Sequence, residues 1–171
     1  MHSNQFLSLL ISFWMAYVGI DDYRFVDRDS LIGRKFIFPN QLFTEDMNSI
    51  ENNHGKSIVI VITYTGCSCE IKELVNCRKL YDELVSQKIN ADWLVIISVI
   101  EKDKTKEAIQ TYNSMKIDFP VIFDTTLEFM KNNIQPFNSS FNLYVLDDSV
   151  IRYVGNPLIR KKEKDKFLKE L

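Results

Sequence analysis

Residues 57 to 64 read Ser-Ile-Val-Ile-Val-Ile-Thr-Tyr, and no stretch of the chain narrows its fold more. From Ile58 to Thr63 every side chain is β-branched, stiff at χ1 and suited to a pleated sheet rather than a helix. A strand with one wet face would alternate apolar and polar residues. This one is almost continuously apolar, so the expectation is a central strand buried on both faces.

Two further apolar runs support a sheet around it. "WLVIISVI" (93 to 100) predicts a second buried strand, and "FPVIFD" (119 to 124) a short third one. Between them the spacing turns helical. From Glu70 to about Gln87, Ile71, Leu74, Cys77, Tyr81 and Leu84 recur at three- and four-residue steps. Residues 104 to 116 place Ala108, Ile109, Tyr112 and Met115 on one side of another helix, and 126 to 133 predict a short one. "NLYVLD" and "VIRYVG", parted by Asp148-Ser149, form a β-hairpin pattern, with Asp147 and Asp148 as turn residues. Asp124 suits a strand end or helix cap. Residues 31 to 39 are expected to add a strand stopped by Pro39-Asn40, 44 to 56 a loop or short helix, and 161 to 171 a final helix. Alternating strands and helices call for parallel pairing with helices on both faces, so the fold class is α/β with an antiparallel edge.

The 171 residues suit a single domain over 31–171, preceded by a polar connector at 21–30 and a hydrophobic segment at 1–20. A net charge of -2 gives no electrostatic footprint for nucleic acid. Lys161, Lys162, Lys164 and Lys166 interleave with Glu163 and Asp165, as on a solvated helix face. Phe6 to Ile20 carries no charge and is shorter than the ~20 residues of a membrane-spanning helix. It fits an export signal or short anchor, although Met1 to Gln5 contains no Lys or Arg. An exported, periplasmic or membrane-anchored protein, tethered through residues 6–20, is the expectation.

Of the three cysteines, Cys67 and Cys69 stand together, split only by Ser68, where the central strand ends and a helix begins. "GKSIVIVITYTGCSC", then "FPVIFD", then "FNLYVLDDSVIRYVG" resemble, in order and spacing, the TlpA-like branch of the thioredoxin superfamily, allied to peroxiredoxins. The resemblance spans roughly Gly55 to Leu171. It implies a thioredoxin-like fold: a central mixed sheet flanked by helices, with an inserted α-β unit and an N-terminal extension. It also implies thiol-disulfide exchange outside the cytosol with protein thiols, disulfides or a redox partner protein, and no cofactor. Cys67 would attack and Cys69 resolve; alternatively, Cys69 is the sole retained position. Three departures accompany it: Gly66 stands where the family has Trp, one residue rather than two separates the cysteines, and Phe141-Asn142 stand where it has a cis-proline.

The junction of strand and helix favours a thiolate, through orphan backbone N–H groups and the helix dipole. Glu70, directly after Cys69, opposes it. A bridge between Cys67 and Cys69 would close a very small ring and be easily reduced, which predicts an oxidising or isomerising pair. Cys77 falls in the apolar helical stripe, about 12 Å along the helix from Cys69, and reads as a core residue.

Other readings stay open. The chain could be a redox-inactive thioredoxin-like module for binding or structure. Copper or zinc could bind Cys67 and Cys69, but four ligands, or three and water, are the rule for zinc. His54 could approach, and His2 lies in the hydrophobic appendage. Thr63 and Thr65 do not have the spacing of a peroxidase threonine.

Overall fold

The computed structural model describes residues 27–39, 56–133 and 141–171. The apolar segment at 6–20, most of the connector, residues 44–55, His2 and His54 lie outside them. Among the described residues, no helix is long and apolar enough to cross a membrane.

Five strands form one mixed sheet: β1 (Lys56–Tyr64), β2 (Asp92–Val99), β3 (Val121–Asp124), β4 (Phe141–Asp147) and β5 (Val150–Gly155), in the order β3-β2-β1-β4-β5. The β-branched run is the middle strand, as its composition predicts. It pairs in parallel with β2, Ile60 opposite Val95, and antiparallel with β4, Ile60 opposite Leu143. β2 and β3 are also parallel, while β4 and β5 are antiparallel.

Helices α1 (Ser68–Lys72) and α2 (Leu74–Ser86) connect β1 to β2, and α3 (Thr105–Ser114) connects β2 to β3. Both crossovers step outward in the same direction, so right-handed connections put their helices on one face. Ile58, Ile60, Ile62 and Tyr64 of β1 meet Leu74, Cys77 and Leu84 of α2, Ala108 and Tyr112 of α3, and Phe167 of α5 (Lys161–Lys169) there. On the other face Val59 and Val61 pack with Phe36, Phe129 and Met130, the last two from α4 (Glu128–Asn132). Each fully buried aliphatic or aromatic side chain of this kind contributes about 1.5–3 kcal/mol by leaving water.

The hairpin turn is Asp148-Ser149, both at positive φ (50° and 64°), the backbone twist that a two-residue connection requires. The predicted strand at 31–39 is not one. Residues Arg28–Leu31 form a 3-10 turn, and Gly33, at φ 84°, redirects the chain. Only Lys35 then bridges to Val150 on the outer edge of β5. Its apolar pattern is explained instead by Leu31 and Phe36, each 1% exposed, which cover the second face. The helix expected from Glu70 to Gln87 begins at Ser68 and is broken at Glu73, giving two helices rather than one.

Candidate functional site

β1 delivers its chain to the end of the sheet at Tyr64, whose carbonyl accepts the Ile100 N–H at 3.1 Å. Gly66 then turns at φ 97°, a conformation that side-chain-bearing residues rarely adopt. Cys67 follows as the N-cap of α1, in extended geometry, and its carbonyl accepts the Glu70 N–H. Cys67 and Cys69 are joined in a disulfide, with Sγ atoms 2.02 Å and Cα atoms 5.3 Å apart. Both residues are exposed. The structure therefore brings together the two cysteines singled out in the sequence.

Glu70 has a role that its position in the sequence did not disclose. Its carboxylate reaches back over the cysteine loop: Oε2 accepts the Thr65 N–H at 2.9 Å and Oε1 the Thr65 hydroxyl at 3.0 Å. Burial pushes the Glu70 carboxyl above its ordinary range, against the lowering effect of the two Thr65 hydrogen bonds. The available signal was the pairing of a threonine before the loop with a glutamate in the first helical turn, a distant relative of the capping box.

Tyr64 is the last residue of β1, directly before the loop. Fully buried, its hydroxyl lies beside the Glu107 carboxylate without reaching hydrogen-bond geometry. Burial raises its pKa, and the charges of Glu107 and Glu70 raise it further. Glu107 comes from α3, which packs against α1. Lys104, at the N-cap of α3, also reaches this loop: its Cε lies 3.9 Å from where a Cβ on Gly66 would stand. Its Nζ is 3.5 Å from Glu107 Oε2. Nothing in the local sequence around the cysteines announces Lys104, which arrives from the next crossover.

Cys77 is a free thiol with no exposure, packed in the α2 face of the core. Burial, helped by Glu73, pushes its pKa up to about 12. It is the inert core cysteine that its place in the stripe predicts. Phe141 and Asn142 open β4 opposite Ile62 and Val61, both buried, and no cis peptide bond occurs among the described residues. Among the described residues no three His, Cys, Asp or Glu side chains gather as metal ligands. His54 and His2 lie outside them.

The other acidic candidates are structural. Asp124, fully buried at the end of β3, accepts the N–H groups of Glu128 and Phe129, each at 2.9 Å, and the Thr126 hydroxyl at 3.2 Å. Asp147 pairs with Arg152 at 3.4 Å across the hairpin, and Asp148 forms its turn. The chain matches no protein-family model and none of the curated proteins.

Proposed function

We propose that this chain is an exported or membrane-tethered thioredoxin-like protein of the TlpA-like kind, exchanging disulfides with protein thiols through Cys67 and Cys69. The observation that carries the reading is the exposed Cys67–Cys69 disulfide at the end of the central strand of a mixed α/β sheet. Exchange needs a sulfur that an incoming thiolate can approach, and a second sulfur able to leave. The exposed pair meets both needs, while Cys77, buried and without tendency to ionise, stays out of the chemistry.

Equilibrating the full chain against glutathione buffers and counting free thiols by mass tests this. Cys67 and Cys69 should gain and lose their thiols together at one midpoint, with Cys77 unchanged. A bridge that never opens and re-forms within the accessible range would sink the exchange reading. Residues 1–30 fused to a phosphatase that is active only outside the cytosol test the export reading; an inactive fusion overturns it.

The second reading, a redox-inactive module, is favoured by one feature. Phe141-Asn142 take the place where the family presents a proline whose backbone pairs with the client peptide. Loss of that pairing would leave the fold intact but the client unheld. A pair that cycles with glutathione but does not oxidise or reduce any unfolded protein substrate would favour this alternative.

A further inference from the structure

A thiolate that leaves the bridge at Cys67 needs positive potential nearby, and α1 supplies little. That helix runs only from Ser68 to Lys72, and its cap makes no side-chain hydrogen bond. The dipole of so short a segment is a fraction of what a continuous helix over Glu70 to Gln87 would provide. Two carboxylates lie around the loop and both raise the Tyr64 pKa: Glu70, folded onto Thr65, and Glu107, beside the Tyr64 hydroxyl. A cation answers them. Lys104 lays its side chain along Gly66, with Cε 3.9 Å from the position of an added Cβ, one residue before Cys67.

The glycine matters to this approach. Gly66 at φ 97° holds a turn that side-chain-bearing residues rarely adopt, and an added Cβ there would be in van der Waals contact with the Lys104 stem. Lys104 is held from the other side by Glu107, its ion-pair partner at 3.5 Å. Both residues remain partly open to solvent, so the lysine charge is free to act on the loop while the glutamate attenuates it.

Resting on the reading of Cys67 and Cys69 as an exchanging pair, we propose that Lys104 is a positioning residue for that chemistry, its ammonium group stabilising the thiolate released on Cys67. In the oxidising direction a client thiolate attacks Sγ of Cys67. The Cys67–Cys69 bond breaks, its electron pair passes to Sγ of Cys69, and that sulfur takes a proton from solvent. A second client thiolate then attacks the client sulfur of the mixed disulfide, closing the client disulfide and expelling Cys67 as a thiolate. The client dithiol is oxidised and the pair reduced by two electrons. Lys104 acts at the expulsion, and equally on resting Cys67 thiolate when the pair works as a reductant.

The test uses the full chain reduced with a phosphine, alkylated with iodoacetamide between about pH 5 and pH 10, the range in which thiols titrate. Modification of each cysteine is read by peptide mass. At low salt, Lys104→Met should raise the Cys67 midpoint by about half a pH unit, roughly a threefold loss of thiolate below it. Lys104→Arg should hold the wild-type midpoint, Glu107→Gln should lower it, and raised salt should shrink the differences. Methionine keeps the aliphatic stem over Gly66, so a packing role alone would leave the midpoint in place. An unmoved midpoint in Lys104→Met, or equal displacement in Lys104→Arg, overturns the proposal. Because the reading is taken on reduced thiols, it decides the role of Lys104 even if the glutathione titration finds no reversible bridge.

Discussion

Glu70 holds Thr65 at two points across the cysteine pair, accepting its backbone N–H at 2.9 Å and its hydroxyl at 3.0 Å. The carboxylate thus fastens the entry of the loop to the first turn of the helix that leaves it. Glu70→Ala should cost about 1 kcal/mol, because both bonds lie near solvent and each donor can be rehydrated. Amide exchange at Thr65 should accelerate more than exchange in the middle of β1. Equal acceleration along the strand would show that the clip does not act locally.

The same carboxylate predicts an unusual pH dependence. Burial places its folded-state pKa above the ordinary 4.5, so the folded chain binds the proton more tightly than the unfolded chain. Its stability contribution is present below that unfolded value and is lost as pH rises through the folded one. Relative to Glu70→Gln, which does not titrate, the wild type should therefore gain stability on acidification from neutrality. Urea unfolding of both proteins at several pH values checks this, and a wild type that loses stability or stays level relative to Glu70→Gln on acidification contradicts it.

Asp124 is the buried hub of the β3–α4 junction. Asp124→Ala should destabilise by about 2–3 kcal/mol, since it leaves the Glu128 and Phe129 N–H groups without their acceptor. Asp124→Asn keeps one acceptor oxygen and should cost less. Denaturant midpoints of the two variants give the order directly.

Cys77 should be silent in the native protein. With the Cys67–Cys69 bridge intact, a thiol reagent should find no reactive group until the chain is unfolded, and then one. Cys77→Ser should cost about 1–3 kcal/mol by burying a hydroxyl among apolar side chains, whereas the glutathione midpoint should not move. A shifted midpoint would tie Cys77 to the pair.

Ser149 sits at φ 64° in the hairpin turn, where a Cβ is unwelcome. Ser149→Gly should raise stability by about 0.5 kcal/mol, the relief of strain outweighing the added freedom of the unfolded chain. The Phe36 N–H that donates to the Ser149 carbonyl at 2.7 Å uses only backbone and survives the change. A lowered melting temperature would refute the strain argument.

Local pattern carried much of this architecture. The run at 58–63 declared the middle strand because β-branching and two-sided apolarity are properties of consecutive residues. Asp148-Ser149 declared the hairpin, and the three- and four-residue steps placed Cys77 in the core. Residues 31–39 misled because their apolar positions serve contacts with the second face of the sheet, made from a turn rather than a strand. The break at Glu73 left no mark, since neither proline nor glycine causes it. At the site, the cysteines were visible and their neighbours were not: Lys104 reaches Gly66 from 38 positions away in the chain, a separation set by the crossover rather than by any local signal. Glu70 was visible only as a charge, because its hydrogen bonds depend on how the loop folds back.

The middle position of β1 also has a consequence for biogenesis. Its β2 side can be completed early in synthesis, but its other side waits for β4, from Ile62 opposite Phe141 to Lys56 opposite Asp147. Until residues 141–147 emerge, a growing chain presents an open edge on a strand whose residues 58–62 are all Ile or Val, a template for pairing with its neighbours. Premature termination after β3 should therefore yield fragments that aggregate rather than partly folded domains. For this chain, the late-arriving hairpin is what makes the central strand safe to expose to other chains.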